Sequence, residues 1–241
     1  MSLSPAVIAA AYEASCLAEL DALKPGNVHA FAAGHRMVIT DFVTSAGVSA
    51  PHLARAGAGL GARVLGGVEA TMEAVGQNTN LGILLLCAPL ALAAERGVHV
   101  SDTLASLDAR DAADVFSAIR RANPGGLGQA ARHDVNEAAP SSLRAAMEEA
   151  APRDRIARAY VTAFEDVFAI GLPALAAARA TGLAPPWTTT AVFLAYLAAM
   201  PDSHVVRKHG PDVAERIRAE AQALLRFDLG AAPVADLLAQ D

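Results

Sequence analysis

The chain is short of lysine, cysteine, aromatic residues and charge, and each shortage excludes something. Of 19 basic residues only Lys24 and Lys208 are lysines, and a net charge of -6 leaves no general electropositive surface for nucleic acid. Two cysteines, Cys16 and Cys87, lie far apart inside apolar helical patterns. They suggest neither a disulfide framework nor a thiolate metal site, and they fit a reducing compartment. Aromatic residues are 5% of the chain, and no alternating run of β-branched residues is long enough to demand a sheet. The longest apolar run, 81–94, contains Pro89 and falls short of the roughly 20 residues that a membrane span requires. The amino terminus, "MSLSPAVIAA", has no basic stretch before its apolar residues, so a soluble cytoplasmic protein is expected.

What is present is alanine and leucine. At 54% hydrophobic over 241 residues the chain can bury a sizeable core, and the choice of apolar residue favours helices. The expected fold is all-α, one multi-helix domain over 1–241 around a buried central helix. Ser4 before Pro5 predicts a helix to about Leu23, with Val7, Ala11, Ala14, Ala18 and Leu17 facing inward. Further helices are expected at 40–56, 59–75 and 79–96, the last apolar all round and therefore central. One or two more should occupy 101–122, with Asp111 as a cap. Asp154 should cap a long helix that Gly171 and Pro173 kink, Trp187 should open another to Met200, and Pro211 the last. "KPGNVHAFAAGHR", "NPGGLGQAARHDVNEAAP" and "PDSHVVRKHGP" read as loops.

The stretch "GQNTNLGILLLCAPLALAA" places Gln77, Asn78, Thr79 and Asn80 directly before the central helix. One such residue would suffice for a cap. A buried helix must satisfy its first N–H groups internally or with a ligand, so Asn78, Thr79 and Asn80 form a candidate cradle for an anion or phosphate. The plain alternative is a capped helix whose spare amides bond neighbouring loops. Both lysines lie in Pro/Gly-rich stretches, with His29, His35 and Arg36 near one and Arg207 and His209 beside the other; Arg132 and His133 lie in the middle loop. Basic residues gathered in the loops of an acidic protein point to a phosphorylated small ligand.

Carboxylates accompany them: Asp41, Glu69, Glu73, Asp134, Glu165, Asp166 and Asp202. Glu69 and Glu73, four apart on one helix face, repel unless a cation or Arg63 intervenes. Carboxylates together with phosphate oxygens are what Mg²⁺ prefers. Most single members of this set read equally well as helix-surface acids, and Asp41 and Asp202 as caps or turn residues. A phosphate loop of the G-x-x-x-x-G-K-[ST] kind and an H-E-x-x-H zinc motif are both absent, and "GAGLG" has the wrong spacing for a dinucleotide fingerprint.

Taken in order, these stretches resemble the ATP:dephospho-CoA triphosphoribosyltransferase family, also called triphosphoribosyl-dephospho-CoA synthases. "LKPGNVH" is similar to the family's P-K-P-G-L-V-D loop through Lys24, Pro25 and Gly26, and "ITDF" resembles its D-M helix start at Asp41. "VEATMEAVGQNTNLG" resembles A-E-x-x-M before G-x-N-T-H-K-G, matching Glu69, Met72, Asn78, Thr79 and Gly82. "PDSHVVRKHG" resembles D-T-N-x-x-x-R-x-G at Asp202, Arg207 and Gly210. The chain departs from the pattern at Asn80 and Leu81, where the family carries His-Lys, at Asn27 and His29, and at Ser203 and His204.

The resemblance implies an all-α transferase acting on MgATP and a dephospho-CoA-like acceptor, with adenine released. Asp41, Glu69 and Asp202 are then the expected catalytic carboxylates. Lys24, Gly26, Asn27, His29, Asn78, Thr79, Asn80, His133, Arg207 and Lys208 are the expected substrate and phosphate contacts. Asp41, Glu69, Asp134 and Asp166 are the expected ligands of Mg²⁺. The altered motifs leave two alternatives: another Mg-dependent enzyme of coenzyme biosynthesis, such as that of a one-carbon carrier, acting on a phosphorylated ribosyl or pterin-like substrate, or a non-catalytic nucleotide-binding protein. Partners are small molecules, not nucleic acid or membrane, and Ala-rich helix surfaces are compatible with a homodimer.

Overall fold

The computed structural model describes residues 1–24, 38–123, 142–226 and 229, all of them helix or irregular, with no strand among them. The expectation of an all-α chain holds. Among the described residues twelve α-helices follow one another: α1 Pro5–Asp21, α2 Ile39–Leu53, α3 Leu60–Val75, α4 Leu81–Arg96, α5 Val100–Ala105, α6 Ala109–Ala122, α7 Leu143–Ala150, α8 Arg155–Val161, α9 Leu172–Ala180, α10 Pro185–Ala199, α11 Ser203–His209 and α12 Pro211–Leu224, with a π-helical turn at Val167–Gly171 before α9. No described helix is long and apolar enough to cross a membrane. The chain divides into two compact units, one of Met1–Cys16 with Thr40–Phe164 and one of Leu17–Ile39 with Glu165–Asp241.

The first unit is organised by α4. Half of that helix is fully buried, including Leu84, Leu85, Ala88 and Leu92. Its Pro89 lacks an N–H and leaves the Leu85 carbonyl without its helical donor. The Tyr160 hydroxyl of α8 donates to that carbonyl at 2.8 Å, and burial pushes the phenol's pKa up, so it stays a donor. At the far end Gly97 returns its N–H to Ala93, and Leu3 donates to the Ala94 carbonyl at 2.9 Å.

The start of α3 packs on the start of α6 with almost no room. Asp108 caps α6 through the N–H groups of Arg110 and Asp111, so the expectation that Asp111 is the cap is corrected by three residues. Asp111 instead closes the capping box with one oxygen and with the other accepts the Gly61 N–H at 2.8 Å. It thereby satisfies an open donor at the amino end of α3, whose own cap position, Gly59, has no side chain to do so. A Cβ at Gly61 would stand 2.7 Å from the Asp111 backbone, which cannot withdraw.

Arg63, two residues further along α3, is completely buried. It donates to the carbonyls of Ala58 and Leu53 and pairs with Glu95 of α4. It therefore does not shield Glu69 and Glu73 as the sequence suggested. Burial opposes the charge on Glu95, but the Gly57 N–H and the Arg63 guanidinium outweigh it and hold the carboxyl below its usual range.

Helix α1 inverts the sequence expectation. Ile8, Tyr12, Cys16 and Leu20 face inward, whereas Val7, Ala11, Ala14, Leu17 and Ala18 are exposed. The helix is apolar all round, and the face with the larger side chains removes more surface from water. The expected long helix after Asp154 is also interrupted. Asp154 caps α8 as predicted, but the chain leaves the helix at Ala163 and Phe164, both with positive φ (52° and 65°). That backbone costs roughly 1–3 kcal/mol per residue; Phe164, fully buried against the Tyr160 ring, offsets it.

In the second unit Leu23, Leu194, Ala198, Ala221 and Leu229 form a core flanked by Trp187 and Phe193. Thr190 of α10 donates to the Leu23 carbonyl, two residues beyond α1, at 2.9 Å. Helix α10 begins at Pro185, two residues before Trp187, because proline suits the first helical positions. The "PDSHVVRKHGP" segment is a helix, α11, rather than a loop, nucleated by Asp202 as its cap.

Replacing Gly61 with alanine should lower stability by about 1–3 kcal/mol through overpacking at α3 and α6. Urea denaturation measures this, and an unchanged midpoint would mean that the two helices can separate without cost.

Candidate functional site

Helix α2 carries Asp41, Ser45 and Ser49 at successive four-residue spacings, hence one polar stripe along one face. Ser45 and Ser49 are buried, Asp41 half-buried, and the stripe meets the amino end of α4. Gly76, with φ 77°, ends α3 in the left-handed conformation and turns the chain into Gln77–Asn80. Gln77 donates to the Asp41 carboxylate at 3.0 Å. Asn78 accepts the Leu81 N–H at 3.1 Å, so its side-chain oxygen caps α4. Thr79 and Ser45 share a hydrogen bond of 2.5 Å. Asn80, only 4% exposed, donates to the Ser45 carbonyl and, at 3.2 Å, to the Ser49 hydroxyl.

Tyr12 of α1 completes the array, 2.9 Å from the Ser49 oxygen. Ser49 donates its only proton to the Ser45 carbonyl at 2.6 Å, so Tyr12 and Asn80 both donate to Ser49. The Ser49 hydroxyl is thus saturated, with one proton given and two accepted. Burial, with the Cys16 thiol close by, pushes Tyr12 upward, which keeps it a donor. The thiols are equally unsuited to act as nucleophiles: burial pushes Cys87 up to about 12 and raises Cys16 as well. Both are free.

The expected site residues are distributed as follows. Asp41, Asn78, Thr79 and Asn80 lie together in the first unit, and Glu69 is exposed on α3. Lys24, Asp166, Asp202, Arg207 and Lys208 belong to the second unit. Gly26, Asn27, His29, His133 and Asp134 lie outside the described residues. Asn80 spends its NH₂ on internal hydrogen bonds, and Asp202 caps α11 with one carboxylate oxygen that accepts the N–H groups of His204 and Val205. The Asp166 carbonyl accepts the Tyr196 hydroxyl at 3.2 Å. Arg207 and Lys208 are exposed at the carboxyl end of α11, the end that favours cations. Arg207 donates to Nδ1 of His204 at 2.7 Å, so that imidazole is neutral with its proton on Nε2. Burial, then the Lys208 and Arg207 charges, lower its pKa in the same direction.

Lys24 is 3% exposed, pairs with Glu19, and donates to the Glu19 carbonyl at 2.6 Å. Burial pushes it down to about 8.

Ser45, Ser49 and Tyr12 were missed in the sequence. The four-residue spacing from Asp41 was the available signal; Tyr12 carried none beyond its place among apolar neighbours. Among the described residues no group of three or more His, Cys, Asp or Glu gathers as a protein cage for a metal. Mg²⁺ needs no such cage, since one or two carboxylates plus substrate phosphates and water serve it. Asp41, half-buried at the mouth of α4, suits that arrangement.

Residues 5–239 match the family model of ATP:dephospho-CoA triphosphoribosyl transferase, nearly the whole chain. Comparison with curated proteins and with solved structures gave no match.

Lys24 yields a pH test. Its folded pKa lies below the ordinary 10.5, so between pH 8 and 10.5 the unfolded chain binds more protons there and the residue makes stability rise with pH. The buried thiols contribute the opposite sign in the same window. The measurement is therefore the difference between the protein and its Lys24→Met variant in urea at pH 7.5 and 9.5. The native chain should gain on the order of 1–3 kcal/mol relative to the variant; parallel slopes would show that Lys24 titrates normally.

Proposed function

We propose, for a chain that belongs to the ATP:dephospho-CoA triphosphoribosyl transferase family, that it transfers the triphosphoribosyl group of MgATP to the ribose 2′-hydroxyl of a dephospho-CoA-like acceptor. The acceptor oxygen bonds to C1′ of the nucleotide as the bond from C1′ to adenine breaks. The hydroxyl proton is lost and adenine departs protonated. The observation that carries this reading is the polar array at the amino end of the apolar helix α4, where Asp41, Gln77, Asn78 and Thr79 converge.

Each group has a chemical task there. Positive charge develops on the ribose as adenine leaves, and the Asp41 carboxylate stabilises it. Gln77 fixes the orientation of that carboxylate. The Asn78 oxygen is committed to the Leu81 N–H, which leaves its NH₂ as a donor to a phosphate oxygen next to the positive end of α4. Mg²⁺ when bound neutralises triphosphate charge, and Asp41 is its proposed protein ligand in the first unit.

An Asn78→Asp variant separates catalysis from folding. It retains the oxygen that caps α4 and adds a charge that the helix end favours, so the melting temperature of the free protein should hold. It loses the NH₂ donor and should bind MgATP at least about tenfold more weakly, the worth of one hydrogen bond to a charged group. Melting curves with ATP and MgCl₂, followed by chromatography for free adenine in the presence of dephospho-CoA, test the whole reading. Stabilisation by MgATP without adenine release would redirect the search to another acceptor. No stabilisation of the native chain would overturn the nucleotide assignment.

A further inference from the structure

The proton on Thr79 has a fixed direction, and it decides what that residue can bind. Ser45 has a single hydroxyl proton and gives it to the Asp41 carbonyl, 2.6 Å away, an atom that can only accept. The 2.5 Å hydrogen bond between Ser45 and Thr79 must then run from Thr79 to Ser45. Thr79 has spent its own proton. What it retains is a pair of acceptor lone pairs on a half-buried oxygen, in the same array as the Asp41 carboxylate.

The partners of Ser45 leave no easy way to reverse this. Its hydroxyl lies four residues beyond Asp41 on one helix, so the donation to the Asp41 carbonyl is local and held by α2 itself. The Ser45 carbonyl is already occupied by Ser49 and Asn80, which pin that turn of α2 against α4.

We infer that Thr79 is a specificity-determining residue that accepts a hydrogen bond from a sugar hydroxyl of the nucleotide, and that it does not hold a phosphate oxygen. A phosphate oxygen at neutral pH is an acceptor and would face another acceptor, with no proton between them. A ribose hydroxyl supplies the proton that the site lacks. This deepens the nucleotide reading and rests on it: the phosphate goes to the Asn78 amide and the sugar to Thr79 and Asp41, so the mouth of α4 reads the junction between ribose and phosphate.

The experiment pairs a hydroxyl on the protein with one on the ligand. Binding of ATP, 2′-deoxy-ATP and 3′-deoxy-ATP, each with MgCl₂, is titrated calorimetrically against the native chain, Thr79→Val and Thr79→Ser. The native chain should bind one of the deoxy nucleotides about three- to tenfold more weakly than ATP, the worth of one neutral hydrogen bond. Thr79→Val should erase that preference by weakening ATP itself, and Thr79→Ser should preserve it. Should Thr79→Val not fold, as judged by circular dichroism, Thr79→Ala serves instead: it also removes the hydroxyl, and the preference should fall below about twofold.

Equal binding of all three nucleotides by the native chain, or a preference that survives the loss of the Thr79 hydroxyl, overturns the assignment of Thr79 while leaving the nucleotide site in place. Absence of ATP binding to the native chain is a different result, and overturns the nucleotide reading together with this one.

Discussion

A helix that is apolar on every side can be placed only where its ends and its irregular carbonyls find partners without water, and α4 sets that requirement for the first unit. Its amino end takes Asn78 as a cap and is anchored through Asn80 to Ser45 and Ser49. The gap that Pro89 opens in its ladder is closed by Tyr160, and its last carbonyls by Gly97 and Leu3. Ser45, Ser49, Tyr160 and Leu3 come from elsewhere in the chain, so burying one helix fixes the placement of α2, α8 and the residues before α1 around it. An unmade hydrogen bond at any of these points would cost roughly 1–3 kcal/mol, comparable to a large part of a domain's net stability.

Much of this was legible in the sequence because apolar runs and their punctuation obey simple rules. The extents of α2, α3 and α4 follow from periodicity and from Gly76 and Gly97 beyond the last turns. The inward face of α1 was not legible. An Ala-rich helix offers several apolar stripes of similar polarity, and only the volume of the cavity it fills selects Ile8, Tyr12 and Cys16 over Val7, Ala11 and Ala14. The same holds for Asp108 and Asp111. Either could cap α6 by its residue type, and the choice depends on Gly61 of α3 approaching closely enough to claim one oxygen of Asp111.

The polar array was half legible. Asn78, Thr79, Asn80 and Asp41 stand out as polar residues in apolar surroundings, and the structure brings them together. Ser45 and Ser49 are commonplace in a helix, and nothing local marks them as partners of residues some 30 positions away. The sequence also could not reveal which of the four polar residues at the mouth would turn inward. Gln77 and Asn80 serve the protein, one orienting a carboxylate and the other tying α4 to α2, whereas Asn78 and Thr79 each keep part of their hydrogen-bonding capacity unspent.

The inward turn of Asn80 gives a physical meaning to the place where this chain leaves its family's pattern. The side chain there occupies a dry site beside Tyr12 and Ser49, where a charged group would meet a heavy desolvation cost. An imidazole in that position would be held neutral by burial and would have to place one tautomer to donate to Ser49. A carboxamide donates from the same geometry at every pH and has no proton to lose. Asparagine therefore keeps the anchoring of α4 while removing titration from the interior of the array. The neighbouring Leu81, 7% exposed, extends the apolar surface of α4 up to its first turn. The Asp41 carboxylate, the Asn78 amide and the acceptor side of Thr79 are by contrast only half-buried. The proposed recognition at this mouth thus depends on hydrogen-bond direction beside the Asp41 carboxylate.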